Sequence, residues 1–266
     1  MRHGIGERIQ KLEKFTSVYE KLLFERHQFA YEKAKTLVED LDILEIGCGT
    51  GYGTMVLAKE AHSVVALDID TELIAELSNL SPNSNIQYLT FDGKNIPFPK
   101  HHFSFVFFFQ VLEHVKDDKS FLNEIKRILH PNGKAIFTTP NRLIRLRKNQ
   151  KPFNNYHYRE YAPKDLLALA DQVQLELDLF GIFGDIDTQN LEKSRLKKYQ
   201  TWYFRHIFQN FPKPIQILIK SILLKLPRKN SNANLDKEFS FFQRTDDLEK
   251  AIDLWGELSH PRGEKG

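Results

Sequence analysis

The apolar run Asp42-Ile43-Leu44-Glu45-Ile46 ends in three glycines at alternate positions, Gly47, Gly49 and Gly51, and a helix-forming stretch follows at once. Few folds accommodate such a junction. Glycine lets the backbone turn sharply and approach a second group without interference from a Cβ. The start of a helix leaves N–H groups with no intrahelical partner and a partial positive charge. The junction therefore predicts a strand, a tight bend and a helix, with a carboxylate-bearing ligand able to sit at the bend.

The chain repeats that unit. Apolar runs at 63–68, 86–91, 103–109 and 133–139 alternate with helical stretches at 54–60, 71–79 and 118–129. Asp70 and Asp117 stand where N-caps belong, and His130-Pro131-Asn132-Gly133 stops the last helix. Continuous apolar strands suit a parallel sheet buried on both faces, and the alternation means βαβ units with right-handed crossovers. Further on, Pro163 opens a helix to about 171, 174–182 reads as a strand, 238–243 as a last strand and 246–258 as a closing helix. The expected fold is a doubly wound α/β architecture around a seven-stranded, mostly parallel sheet. Three regions are expected: an N-terminal helical cap over 1–40, a core over 41–189 and 237–258, and a basic helical insertion over 190–236.

Composition excludes several alternatives. A single cysteine, Cys48, rules out intrachain disulfides and cysteine metal clusters. No run of about 18 apolar residues is present to span a bilayer, and the N-terminus lacks the apolar run of a signal peptide, so a cytoplasmic protein is expected. The net charge of +3 is too small to argue for nucleic acid as a partner. The insertion departs from this average. Lys193 to Lys229 carries many cations and no acid, interleaved with Trp202, Phe204, Ile207, Phe208 and Leu218, which suits either a packed cap or peripheral contact with lipid.

Glycine loops also occur in nicotinamide enzymes, whose fingerprint is G-x-G-x-x-G, whereas this loop reads acidic-x-G-x-G-x-G. Asp68, ending the second run, fits both. Later motifs separate them: Phe91-Asp92-Gly93, Phe103-Ser104-Phe105-Val106, Val111-Leu112-Glu113-His114-Val115, Leu129-His130-Pro131-Asn132-Gly133 and Thr138-Thr139-Pro140-Asn141. In that order they resemble the class I S-adenosylmethionine-dependent methyltransferases, in the small-molecule branch that includes the quinone-biosynthesis O-methyltransferases. The resemblance covers roughly residues 24–185.

The resemblance implies S-adenosyl-L-methionine as cofactor. It implies that Gly47, Cys48, Gly49 and Gly51 line the methionine end, with Glu45 anchoring the loop. Asp68 would accept from the ribose hydroxyls while Ile69 packs on the adenine. Asp92 would accept from the adenine amino group, Gly93 would face the ring and the backbone of Gln110 would sit beside the sulfonium. Arg26, on the helix before the first strand, is a candidate for the cofactor carboxylate, and a plain surface arginine is the alternative.

Transfer to a hydroxyl needs an oriented acceptor, worth roughly 7–11 kcal/mol, and a base, worth about 10²–10⁴ in rate. His114 is the first base candidate, because it follows the fourth strand at the carboxyl edge where open α/β sheets bind ligands. Glu113 would hold it or orient substrate. His157, within Tyr156-His157-Tyr158-Arg159-Glu160, is the alternative base, and Arg159 a clamp for an anionic group. Each has a plainer reading as a loop-shaping residue. Residues 113, 114 and 157 are ligand types without metal-site spacing, so no metal is expected. The expected acceptor is a small molecule bearing a hydroxyl: a saccharide, glycolipid or quinone-like compound. A nicotinamide-dependent oxidoreductase and a non-catalytic cofactor-binding module remain as alternatives.

Overall fold

The structure is a computed structural model that describes residues 15, 17–80, 84–146, 150–152, 154–200, 211–218 and 240–261. Its strands, in chain order, are β1 (Asp42–Ile46), β2 (Ser63–Asp68), β3 (Ile86–Thr90), β4 (Phe103–Phe109), β5 (Leu129–Pro140), β6 (Glu176–Gly184), β7 (Phe241–Arg244) and β8 (Asp253–Ser259). They form one sheet ordered β3-β2-β1-β4-β5-β8-β6-β7. The strands β1 to β5 run parallel; β8 lies antiparallel between β5 and β6, and β7 pairs antiparallel on the outer edge of β6.

The helices are α1 (Val18–Lys35), α2 (Tyr52–Leu57), α3 (Thr71–Leu80), α4 (Asp118–Ile128), α5 (Arg142–Arg145), α6 (Pro163–Gln172) and α7 (Ile186–Gln200). Both predicted caps form: Leu73 N–H donates to Asp70 Oδ1 at 3.0 Å, and Ser120 N–H donates to Asp117 Oδ1 at 3.0 Å. The side chains of β4 show why its sequence is apolar apart from Ser104. Phe105, Phe107 and Phe109 pack with α1 and α2, while Val106 and Phe108 face the opposite side with α4 and α6. A strand covered on both faces loses the polar alternation of a half-exposed one.

Two expectations fail here. The sheet has eight strands, not seven. The predicted closing helix over 246–258 is instead a short 3₁₀ turn, Leu248–Lys250, followed by β8. Leu248, Ala251, Ile252, Trp255 and Leu258 happen to recur at helical spacing, and in a strand buried on both faces the period of two is lost. Gly256 carried the missed signal: opposite Phe137 in register, a Cβ there would lie 2.3 Å from that ring. Only a bare backbone lets Phe137 cover it. The predicted strand over 238–243 exists as the edge strand β7, but it is penultimate.

Of the predicted insertion over 190–236, residues 201–210 and 219–236 lie outside the described residues, so its lid or lipid role rests on sequence alone. No described helix is long and apolar enough to cross a membrane.

Candidate active site

The bend after β1 is built on a buried carboxylate. Glu45, 1% exposed, accepts from the Tyr31 hydroxyl at 2.7 Å and from the Thr54 hydroxyl at 2.6 Å. One partner comes from α1 and the other from α2, so Glu45 ties both helices to the strand beneath the loop. Burial raises its carboxyl above the usual range, opposed by these two hydrogen bonds. The same burial, reinforced by the Glu45 charge, pushes the Tyr31 phenol well up, so it stays a donor.

Above this base the loop bends through positive φ at Gly47, Gly49 and Gly51. Gly47 and Cys48 N–H both donate to Leu67 O, at 2.7 and 3.0 Å, pinning the loop to β2. A Cβ at Gly47 would meet Val111 Cγ2 at 2.5 Å, and one at Gly51 would meet Leu77 Cδ2 at 2.9 Å; at Gly49 it would meet nothing within 4 Å. Gly49 thus forms the open lip of the cradle. Cys48 is buried beneath it with Ala66, Ile74 and Tyr88. With only six residues, α2 supplies backbone N–H groups more than a macrodipole.

The tips of the next strands complete the edge. Asp68 accepts from Gly49 N–H through Oδ2 and from Asp70 N–H through Oδ1, both at 3.0 Å. Each oxygen keeps a second lone pair for a hydroxyl. Ile69 stands 68% exposed at the tip of β2, and a Cβ at Gly93 would touch it at 3.3 Å. An exposed isoleucine against a glycine makes an apolar shelf able to take a flat ring. Asp92 is exposed and closes its own turn, accepting from Lys94 N–H, Asn95 N–H and Asn95 Nδ2. These hydrogen bonds lower its carboxyl below the usual range. Gln110, at the tip of β4, has φ 55; its N–H and Nε2 bond Thr138 at 2.8 and 3.2 Å. Its side chain is turned to β5, which leaves the strained backbone at the edge.

All ten cofactor candidates therefore sit at or beside the carboxyl tips of β1 to β4. The open lip at Gly49, the acceptor pair on Asp68 and the Ile69–Gly93 shelf thus lie along one edge of the sheet. Arg26 lies elsewhere: it is buried and ion-paired to Asp253 Oδ2 at 2.9 Å and Glu192 Oε1 at 3.6 Å.

Beyond β4, Glu113 and His114 lie on the 3₁₀ turn Leu112–His114, and the loop before α6 brings His157 to them. The two imidazoles stand edge to face with centroids 4.7 Å apart. Ligand-type atoms of Glu113, His114 and His157 all lie within 4.8 Å of one another. Glu113 is buried and accepts from Thr139 Oγ1 at 3.0 Å. His157, also buried, pairs with Glu160 Oε1 at 3.0 Å, and Arg145 Nε lies 3.2 Å from that same oxygen. Arg159 bonds Asp118 and the Lys116 carbonyl, both at 2.5 Å, which staples this loop to the start of α4.

Sequence reasoning missed the charges behind this cluster. Arg26, Arg145, Glu192, Arg195 and Asp253 meet where α1, α5, α7 and β8 converge, and Asp253 pairs in register with Pro140 at the carboxyl end of β5. Burial raises Glu192, but the charges of Arg195, Arg26 and Arg145 outweigh it and carry the carboxyl down to about 2. Asp253 is instead raised, burial outweighing the same arginines. No local pattern announces such a network, since its members lie far apart in the chain. The stretch Thr-Pro-Asn proves structural: Asn141 Nδ2 donates to the Leu248 and Ala251 carbonyls, both at 2.9 Å, stitching β5 to the turn before β8.

A sheet of parallel strands closed by an antiparallel one, with a glycine bend after β1 and acids at the next two tips, defines the class I methyltransferase fold. Residues 44–137 match the family model described as a methyltransferase domain. A Mycolicibacterium smegmatis protein named "Probable S-adenosylmethionine-dependent methyltransferase" is 32% identical over 161 residues, 60% of this chain and 62% of that protein. A Coxiella burnetii ubiquinone biosynthesis O-methyltransferase is 27% identical over 57% of this chain and 71% of its own. The solved S-adenosylmethionine-dependent methyltransferase of Mesorhizobium loti shares the fold at TM-score 0.56 and 14% identity, covering 88% of this chain and 97% of that one. The chain spans about three-fifths of the length of the mycobacterial relatives.

Proposed function

We propose that the protein transfers a methyl group from S-adenosylmethionine to a hydroxyl of a small molecule, within the range of saccharides, glycolipids and quinone-like compounds. The observation that carries this is the Glu113–His114–His157 cluster: Glu113 and His114 follow the tip of β4, the loop before α6 adds His157, and Val111 packs on Gly47 of the glycine bend. One short stretch of chain, 111–114, thereby links the glycine bend to two of the groups able to handle an acceptor proton.

When bound, S-adenosylmethionine supplies a methyl group already activated by positive sulfur. The remaining tasks fall to the protein. Asp68, Gly49 and the Ile69–Gly93 shelf fix the nucleoside, so that the acceptor can be oriented once rather than found by diffusion. The cluster activates the acceptor hydroxyl. In a neutral histidine whose Nδ1 is held by an oxygen, Nε2 carries the lone pair, and both His114 and His157 have Nδ1 so held. The charged side chains behind the cluster favour a polyhydroxy acceptor over a bare apolar ring. The relative named for O-methylation supports a hydroxyl over an amine.

Calorimetry with S-adenosylhomocysteine and with NAD, followed by transfer of labelled methyl groups to panels of hydroxyl, amine and lipid acceptors, tests this reading. It expects S-adenosylhomocysteine binding and label on a hydroxyl compound. NAD binding without S-adenosylhomocysteine binding overturns it, and so does cofactor binding with no turnover on any panel.

A further inference from the structure

The same cluster has a donor set that a proton relay does not need. His114 Nδ1 lies 3.1 Å from the Tyr156 carbonyl oxygen, which can only accept, so the hydrogen of that imidazole sits on Nδ1. His157 Nδ1 lies 3.0 Å from Glu160 Oε1, again an acceptor, and Arg145 Nε lies 3.2 Å from that same oxygen. Both rings are therefore fixed in one tautomer, with Nε2 as the ligand atom. An imidazole backed by a carboxylate or a carbonyl is the arrangement found around metal-bound histidines, where the partner orients the ring and raises its basicity. Glu113 adds a buried carboxylate oriented by the Thr139 hydroxyl.

We propose that Glu113, His114 and His157 form a binding site for a divalent first-row transition cation such as zinc or manganese. Two nitrogens and one oxygen suit these ions, whereas calcium and magnesium prefer oxygen donors alone. Metal–ligand bonds of about 2.0–2.2 Å place ligand atoms roughly 3–3.5 Å apart. The present atoms lie within 4.8 Å of one another, so small side-chain rotations close the site. Three protein ligands leave at least one position open, as in sites where a metal meets a substrate. Two of the ligands are adjacent on the turn after β4, and the third is brought by the loop before α6. The site thus requires the folded chain, and its sequence spacing hides it. The use of the cation to polarise an acceptor oxygen rests on the methyl-transfer reading; its binding does not.

The test uses the full chain without an affinity tag, stripped with a chelator and titrated with Co²⁺, Zn²⁺ and Mg²⁺ in the absence of cofactor and acceptor. One Co²⁺ per chain with visible d–d absorption is expected, displaced by Zn²⁺ and not by Mg²⁺. The His157→Ala and Glu113→Gln variants should lose the absorption. Glu160→Gln, which removes only the carboxylate behind His157, should keep it and weaken affinity about 10–100-fold. Near-UV circular dichroism verifies that each variant folds, and His114→Ala stands in for any that does not. Absence of stoichiometric Co²⁺ and Zn²⁺ binding in the wild type overturns the proposal, as does binding that survives loss of the three ligands. S-adenosylhomocysteine binding measured on the same samples separates the two readings: a chain that takes the metal and not the nucleoside sinks the proposed function alone.

Discussion

Replacing Tyr31 by Phe tests whether the glycine bend rests on a buried carboxylate. The substitution removes one oxygen and keeps the ring, with its edge contacts to Tyr52 and Phe109 at 5.4 and 4.9 Å. What is lost is the 2.7 Å hydrogen bond to Glu45 Oε1, an oxygen water cannot reach because Glu45 is 1% exposed. A hydrogen bond to a charged group contributes about 1.5–3 kcal/mol, and an acceptor stranded in the interior keeps its desolvation cost. Thr54 still holds the other oxygen, so the expected destabilisation at pH 7 is about 2–3 kcal/mol. At an m-value near 3 kcal/mol per molar urea this moves the midpoint by roughly 0.7–1 M. The sign of the pH dependence follows from Glu45, whose folded-state carboxyl is already raised above 4.5. A raised carboxyl costs the folded state stability while ionised, and the cost vanishes as pH falls through the folded value. Removing the tyrosine donor raises it further, so the deficit of the variant is greatest near neutrality and shrinks toward pH 4.5. Urea titrations at several pH values measure this, with Glu45→Gln completing a double-mutant cycle. In that background, where no charge remains, the Tyr31→Phe cost should fall below about 1 kcal/mol, the neutral hydrogen-bond range. An equal cost in both backgrounds, or a deficit that grows on acidification, refutes the reasoning.

Arg26→Met leaves Asp253 and Glu192 buried with one cation fewer and should cost about 3–5 kcal/mol in urea unfolding; a loss under about 1 kcal/mol removes the network from the stabilising interactions. Gly51→Ala combines φ 74 with a Cβ 2.9 Å from Leu77 Cδ2 and 3.0 Å from Tyr88 Oη. It should cost about 1–3 kcal/mol and weaken S-adenosylhomocysteine binding in calorimetry, and unchanged affinity speaks against this loop as the cradle. Glu192 is depressed to about 2 from 4.5, so its contribution is complete above pH 4.5 and declines as pH falls toward 2. The urea midpoint of the wild type should fall across that window, and Glu192→Gln should flatten the fall.

The half of the sheet from β1 to β5 was legible because its signals are local. Apolar runs bounded by glycines give the strands, and Asp70 and Asp117 mark helix starts within one turn of the bonds they make. The positions proposed for the cofactor could be placed on the sheet for the same reason, because they end those strands. The other side was not. β8 was misread because residues covered on both faces lose the period of two and fell by chance at helical spacing, with Gly256 as the one discordant residue. That error concealed Asp253, and with it the ion network. The meeting of His157 with residues 113 and 114 depends on how α6 docks on the sheet, which no window of sequence contains.

The position of β8 also brings distant parts of the chain together. The matched domain ends at residue 137, whereas Thr139, Arg145, His157, Glu160, Glu192 and Asp253 all follow it. Of the groups at the acceptor edge, only Glu113 and His114, together with Arg26 upstream, stand outside that later segment. Because β8 enters antiparallel between β5 and β6, its first residue, Asp253, arrives at the carboxyl end of β5 and meets Arg26 from the opposite end of the chain. On the proposed function, substitutions at Arg145, His157, Glu160 and Asp253 should alter acceptor turnover without altering cofactor affinity, and a parallel loss of S-adenosylhomocysteine binding in calorimetry refutes that division.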